Sequence, residues 1–226
     1  YYRFTSPDGL KWKQDERPLL PFRVDTHDVV FWDTQLGCYV LYLRGWNVPG
    51  AWDERLRKVV RLTLDTLAVP AAVVPSGKGD NPTRDDDLPR VVDEIPTVLT
   101  TDEHDPPNTD VYNSAMQPYP PDPRWYVGFP SFFRRESLVD GRLEVQFVGS
   151  RDGIEWHRYD HAPYTAPGLA GSYSAGRTYM GVGLVVRGDE IWQYGVGKGN
   201  PHGRRLADAV EVDGTVYRYV QRIDGF

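Results

Sequence analysis

Polar side chains suited to acid–base chemistry occur in three short segments of the sequence, each at the start of a run of strand-forming residues. In such chemistry one carboxylic acid protonates a leaving oxygen while a second carboxylate attacks or activates water. Asp25 and Asp110 open equivalent strands, so we predict that they face one site as base or stabiliser, although an aspartate there can simply cap a turn. The other polar members, predicted to contact the substrate, are His27, Asp28, Tyr112, Asn113, Arg177 and Tyr179.

The general acid in such a site is a carboxylic acid whose surroundings raise its pKa. Among the glutamates, Glu103 lies in the acidic segment just before Asp110 and is our prediction for this role. Asp102, Asp105 and Asp110 could instead supply oxygen ligands to a structural Ca²⁺, but their spacing is not that of a calcium-binding loop. We therefore predict no metal site and no cofactor.

His202 follows a predicted strand and could reach the same site, where it would hydrogen-bond a sugar hydroxyl. His27 has a similar claim. For either histidine, a purely structural role, with all hydrogen-bond partners inside the fold, is at least as common as a role in binding substrate.

The elements that must position these side chains are β-strands. Asp-Gly pairs, as at 140–141 and 152–153, separate segments in which apolar and polar residues alternate, as at 143–148 and 216–220. Asp-Gly is favoured in type I′ hairpin turns because both central residues need a positive φ. The best helical candidate, 52–60, is short and continues into β-branched residues. The sequence therefore predicts an all-β chain rich in antiparallel hairpins.

A repeat runs through the chain, in which an opening apolar strand, an aromatic strand and a closing strand recur three times, over about 29–66, 111–156 and 179–226. Residues 4–12 match the closing segment of a fourth unit. Small sheets repeated in this way are typical of a β-propeller. We predict one propeller domain over 1–226, a stretch of about three blades plus a partial blade from a larger protein, with a long Pro- and Asp-rich loop at about 69–110.

Composition excludes some classes of partner. The net charge is −6 and no Lys/Arg run is interleaved with aromatics, so the basic surface of a nucleic-acid binder is missing. The sequence contains no run of 18 apolar residues, which would predict a membrane span. Its first residues do not resemble a leader, so localisation stays open. The single cysteine, Cys38, excludes an internal disulfide. The 14 Tyr, 8 Phe and 7 Trp suit strand cores and sugar-binding surfaces alike.

The motif S-x-D-G-x-x-W occurs twice, at 6–12 and 150–156. In such a turn the aspartate accepts backbone N–H groups, the glycine is left-handed and the tryptophan covers the hairpin, so we assign it a structural role. With the segments DTHDVVFWD at 25–33 and YVLYLRGW at 39–46, the chain resembles the five-bladed glycoside hydrolases of families 32 and 43, and is most similar to uncharacterised bacterial proteins near family 32.

The resemblance implies a five-bladed propeller with three carboxylates around its axis, a carbohydrate substrate and cleavage of a glycosidic bond. Two departures speak against fructan hydrolysis: the first-blade nucleophile of these families would lie before residue 1, and the Arg-Asp-Pro and Glu-Cys signatures of family 32 fructosidases are missing. Two alternatives stay open, a non-catalytic carbohydrate-binding propeller and a sialidase-like hydrolase. The sialidase-like hydrolase needs an arginine cluster and a tyrosine nucleophile, for which Arg44, Arg177 and Tyr179 are available.

Overall fold

A computed structural model of the protein describes residues 1–25, 27–47, 56–77, 89–137, 140–203 and 214–226. These residues form sixteen β-strands and no α-helix, which confirms the all-β prediction. Nowhere in these ranges is there a helix long and apolar enough to cross a membrane. The strands are β1 Phe4–Thr5, β2 Lys13–Gln14, β3 Val29–Asp33, β4 Cys38–Trp46, β5 Arg57–Leu64, β6 Thr97–Leu99, β7 Thr109–Val111, β8 Met116–Pro118, β9 Tyr126–Gly128, β10 Ser131–Arg135, β11 Gly141–Gln146, β12 Val148–Ser150, β13 Pro163–Thr165, β14 Arg177–Arg187, β15 Glu190–Lys198 and β16 Thr215–Arg222.

Strands β3 to β6 form a four-stranded antiparallel sheet in chain order. The first three follow the predicted first unit closely, but β6 lies inside the segment predicted as one long loop. Val91, Val92 and Ile95 of that segment are also buried, so its described part belongs to the core. Residues 57–60 of the helical candidate lie in β5, while 52–55 and the loop residues 78–88 fall outside the described ranges.

The second unit is a three-stranded antiparallel meander in which every strand is interrupted once. In one half, β10 pairs with β7 on one side and β11 on the other. In the other half, β9 pairs in the same way with β8 and β12. One break holds Ala115 at φ 43°, and another holds Pro130, which has no N–H for a ladder bond. The sequence pattern missed β10, whose aromatic and arginine residues do not alternate regularly.

Strands β14, β15 and β16 form a regular antiparallel meander, as predicted for the third unit. A parallel bridge between Leu143 and Arg177 joins it to β11. Gly141 and His202 also exchange two backbone hydrogen bonds of 3.2 and 2.8 Å. These links place the start of β14, and the residues that follow β15, beside the second unit.

Among the described residues the core has three clusters, one of which packs segments 20–24 and 91–95 against the first sheet. The other two lie between successive units. One cluster of buried side chains, including Tyr42, Met116 and Phe132, fills the space between the first sheet and the second unit. Another, including Phe129 and Met180, fills the space between the second unit and the third. Removal of these apolar surfaces from water is the main force that stacks the units face to face.

Both S-x-D-G-x-x-W turns have the predicted geometry. Asp8 and Asp152 each accept the backbone N–H groups two and three residues further along the chain, at 2.8 to 2.9 Å. Gly9 and Gly153 are left-handed, with φ of 74° and 70°. These hydrogen bonds hold the pKa of both aspartates below its usual range. The separate prediction that these Asp-Gly pairs form type I′ turns is wrong. Neither Asp8 nor Asp152 has a positive φ, and the carboxylate itself closes the turn.

The two turns provide a matched test of packing. A Cβ at Gly153 would lie 2.7 Å from the Tyr42 hydroxyl, whereas a Cβ at Gly9 would meet no atom within 4 Å. Left-handed backbone costs an alanine about 1 kcal/mol, and overpacking adds about 1 to 3 kcal/mol. We expect Gly9→Ala to lower the free energy of unfolding by about 1 kcal/mol and Gly153→Ala by about 2 to 4 kcal/mol in urea titrations. Equal losses would show that Tyr42 yields to the methyl group without cost.

Candidate functional site

Nine of the ten predicted site residues meet at one place, where the starts of β7 and β14 lie beside the loop before β3. They contact one another directly or through Arg44 of β4 and Arg57 of β5. Seven of the nine are partly exposed, so the site reaches solvent. We name this group the polar cluster, and its members are Asp25, His27, Asp28, Arg44, Arg57, Asp110, Tyr112, Asn113, Arg177, Tyr179 and His202.

Asp25 forms an ion pair of 2.5 Å with the guanidinium of Arg44, whose side chain is almost fully buried. Asp25 and His27 both have left-handed backbone, with φ of 66° and 61°. Such conformations are uncommon outside glycine and, at a site, point to a function that holds the side chains in place. They also correct the expectation that Asp25 opens a strand, since β3 begins only at Val29.

Asp28 is the carboxyl group with the most unusual electrostatics in the cluster. Burial raises its pKa to about 6, and the nearby Asp25 carboxylate adds to this, while hydrogen bonds from Tyr1 and from the backbone N–H of Arg44 only partly offset it. A carboxyl group that keeps its proton up to about pH 6 has the property required of a general acid. From the sequence, Asp28 is expected among the substrate contacts and Glu103 as the acid.

Asp110 lies within β7, and its side chain has no exposed surface. One carboxylate oxygen accepts hydrogen bonds from Arg57 at 2.9 Å and from Arg135 at 2.5 Å. In this arrangement the carboxylate contacts arginines and no open space. Its position therefore fits a residue that orients the site, and not one that touches a substrate.

The ring of Tyr112 forms the centre of the cluster. The guanidinium carbons of Arg44 and Arg57 lie 4.4 and 5.0 Å from its centroid, within the range of cation–π contacts. The rings of His202 and Tyr179 lie 4.8 and 6.0 Å from it. Residues from all three repeated units thus pack around one aromatic ring.

His27 and Asn113 form a hydrogen bond of 2.7 Å between Nδ1 and Nδ2, while the Asn113 side-chain oxygen accepts the backbone N–H of Ser131. Because an amide nitrogen only donates, His27 Nδ1 accepts this bond, which leaves the proton of a neutral ring on Nε2. Burial, with the nearby Arg44, lowers the pKa of His27. His202 is shifted further, to a pKa of about 4, by burial and then by Arg177, Arg57 and Arg44. Both imidazoles are neutral at pH 7.

Glu103 lies away from this group. Its side chain is 84% exposed, and its described contacts include an ion pair of 3.9 Å with neighbouring His104 and none with the polar cluster. At this exposed position it lacks the apolar surroundings expected of a general acid.

The acidic segment considered for a cation has a different partner. Asp102, Asp105 and His161 bring ligand atoms within 4.8 Å of one another, but Asp110 is not among them. Arg158 pairs with Asp105 at 2.5 Å and with Asp102 at 3.3 Å. The guanidinium thus already pairs with both carboxylates, and the group has the form of a salt-bridge network.

Two cavities bear on binding. The one against His27, Asp28, Arg44 and Asn113 has about 10 Å³, room for roughly one water molecule. A much larger one of about 730 Å³ lies elsewhere, lined by aromatic side chains that include Trp125 and Phe147. Size alone favours the larger cavity, but the titratable and cationic groups that could do chemistry surround the smaller one. A substrate at the polar cluster would therefore lie on its partly exposed side.

Sequence reasoning missed Arg57 altogether and named Arg44 only for the sialidase-like alternative. The available signal was an arginine inside the apolar run of β4, where six neighbouring residues are buried. A buried charge needs a partner, so Arg44 could have been paired in advance with an aspartate of the same unit.

No family model matches this sequence, and a search of curated proteins finds no match. Solved structures do share its fold. They include an N-acetylgalactosamine deacetylase from F. plautii in complex with blood group B trisaccharide (TM-score 0.52, 14% identity, 89% of this chain and 51% of that chain). A complex described as BT0996 with RGII has a TM-score of 0.56 at 13% identity, over 95% of this chain and 53% of that one. A glycoside hydrolase has a TM-score of 0.54 at 12% identity, over 92% and 52%.

Two of these structural neighbours are described as enzymes that act on carbohydrates, the deacetylase and the glycoside hydrolase. At such low identity the likeness shows the fold alone. The chain spans about half the length of each of them.

Proposed function

We propose that this chain is the propeller part of a carbohydrate-active enzyme that cleaves glycosidic bonds at the polar cluster. One observation carries the proposal: polar residues chosen from three distant segments of the sequence converge on one partly exposed site. Aromatic rings beside carboxyl groups are suited to bind a sugar, because a ring covers its apolar face while polar groups bind its hydroxyls. The shared fold with carbohydrate-active enzymes supports the same class of substrate.

The propeller assignment, with five blades in the whole protein, rests on the repetition of the units. Three antiparallel units follow one another in the chain and pack face to face through two apolar clusters. The third unit leaves exposed apolar side chains on one face, among them Val185, Tyr194 and Val220. In a propeller each such face is covered by the next blade, so this surface fits the proposed architecture.

Two carboxyl groups have environments that suit opposite roles. Asp28, with its raised pKa, is the proposed general acid, and Asp25, which pairs with Arg44, is the proposed base or stabiliser. Differing environments for paired carboxyl groups are how one site performs both halves of acid–base catalysis. Asp110 is proposed to orient Arg57 and, through it, Tyr112. Glu103 remains only a sequence-based candidate.

The experiment is hydrolysis of a panel of aryl furanosides and pyranosides by the protein and its Asp25→Asn variant. Loss of the Asp25 charge is expected to lower kcat/KM about 10²- to 10⁴-fold. The almost fully buried Arg44 loses its partner in this variant, so circular dichroism must show that it is folded and activity is compared per folded protein. Asp189→Asn, at an exposed position on the β14–β15 turn, is the matched control and keeps full activity. Sugar binding without turnover in the wild type would identify a non-catalytic binding propeller instead.

A sialidase-like enzyme is the second candidate, because the arginines it requires do meet near Tyr179. Its mechanism needs a tyrosine that is readily deprotonated. Burial instead raises the pKa of Tyr179, which opposes that role even though Arg177, Arg44 and Arg57 lower it in part. The arginines thus support an acidic substrate more than they support a tyrosine nucleophile.

A further inference from the structure

The charge balance of the polar cluster identifies a class of substrate, an inference that rests on the proposed carbohydrate-active function. Arg57 and Arg135 share the single carboxylate of Asp110. Arg44 is matched by Asp25, and Arg177 has no ion pair among the described residues. When Asp28, the proposed general acid, is protonated, the guanidiniums of Arg44, Arg57 and Arg177 therefore face the two carboxylates of Asp25 and Asp110. In that state the cluster has an excess of positive charge, in a chain whose net charge is −6.

Geometry concentrates this charge on one side of the cluster. Arg177 donates through Nη1 to the Pro201 carbonyl at 2.7 Å, which holds it next to His202. Arg57 lies over the rings of Tyr112 and Phe133, at 5.0 and 5.6 Å from their centroids. The aromatic group around Tyr112 is thus bordered by arginines from the first and third units.

The arginines also have unused hydrogen-bonding capacity. The Nε atoms of Arg44, Arg57 and Arg177 are buried and lack a hydrogen-bond partner within the described ranges. A buried donor without a partner costs about 1 to 3 kcal/mol, so the described protein groups do not fully satisfy these guanidiniums. The low pKa of His202, to which the same three arginines contribute, is a second sign of positive potential here.

We propose that the sugar bound at the polar cluster carries a carboxylate, as in a uronic or sialic acid, and that Arg57 and Arg177 hold this carboxylate beside Tyr112 and His202. Arginine is suited to this because its planar guanidinium donates two parallel hydrogen bonds to a carboxylate. A neutral sugar would leave the positive charge uncompensated. The proposal therefore predicts a preference between sugars that differ only in this group.

The test uses matched pairs of sugars, each an acid and its neutral counterpart: aryl glucuronide with aryl glucoside, and galacturonate with galactose, together with N-acetylneuraminate. We expect at least one acidic sugar to bind or react at least 10-fold better than its neutral partner, and Arg177→Met to reduce that ratio to about 1. Arg187→Met, on the exposed end of the same strand and stacked on Trp192, is the control and keeps the preference.

The outcomes separate the two proposals. Turnover of neutral glycosides with no preference for acids would overturn the acidic-sugar inference and leave the glycosidase proposal standing. An acid preference that survives Arg177→Met would overturn the assignment of the carboxylate to this side of the cluster. Neither binding nor turnover of any pair would overturn the inference and the proposed function together.

Discussion

Asp110→Ala is expected to be among the most destabilising single substitutions in this protein, lowering the free energy of unfolding by about 3 to 5 kcal/mol. Two guanidiniums, those of Arg57 and Arg135, share its fully buried carboxylate. Removal of one partner from a buried ion pair leaves charge uncompensated away from water, and measured losses are of this size. Urea titration followed by far-UV circular dichroism measures the effect.

Asp122→Ala is the matched control for this substitution. Asp122 pairs with Arg124 at 2.7 Å, but the arginine is 79% exposed, and water screens such a pair. We expect a change within about 0.5 kcal/mol. If Asp110→Ala folded as stably as Asp122→Ala and lost only turnover, Asp110 would act directly in catalysis, as the sequence first indicated, and the positioning role would be wrong.

Asp28→Asn is expected to lower activity and raise stability at the same time. An amide cannot donate a proton to the leaving oxygen, so kcat/KM falls about 10²- to 10⁴-fold. Above pH 6 the wild type keeps a carboxylate at a site that disfavours its charge, and asparagine removes that cost. Each unit by which a pKa is raised corresponds to about 1.4 kcal/mol, so the variant should gain roughly 1 to 3 kcal/mol at pH 7.

The shifted pKa values of Asp28 and His202 determine whether stability rises or falls with pH. The pKa of Asp28 is raised in the folded state to about 6, so between about pH 4 and 6 the folded protein binds more protons than the unfolded chain. The contribution of Asp28 to stability therefore falls as pH rises through this window. His202 acts in the opposite direction, because its pKa is lowered to about 4 and the unfolded chain binds the extra proton.

Because these two contributions oppose each other, the quantity to measure is the difference in the free energy of unfolding between Asp28→Asn and the wild type. The stability of Asp28→Asn relative to wild type should rise from near zero below pH 4 to a plateau above pH 6, because His202 contributes equally to both proteins. The pH profile of wild-type kcat/KM should fall above about pH 6, where the acid loses its proton. A pH-independent difference in stability, with full activity of the variant, would remove Asp28 from the proposed mechanism.

Local pattern was sufficient for most strands and for the turn motifs. The alternating segment 216–220 lies within β16, because side-chain direction in a strand depends only on adjacent positions. The apolar segments 25–33 and 39–46 of the first unit likewise contain β3 and nearly all of β4. The two S-x-D-G-x-x-W turns followed in the same way, since the serine and aspartate bond backbone groups two or three residues away. Pattern failed for β6 and β10, which are strands because of the neighbours they pair with.

The same distinction between local sequence pattern and tertiary contacts applies to the candidate site. The sequence by itself determined which residues are present to do chemistry, an all-β chain and the three segments that hold nearly all the candidates. Only the tertiary structure decided their roles. Burial raises the pKa of Asp28, two arginines enclose Asp110, and solvent surrounds Glu103, because each side chain takes its electrostatics from residues far away in the chain. Charge and burial are properties of the assembled fold, and no local spacing encodes them.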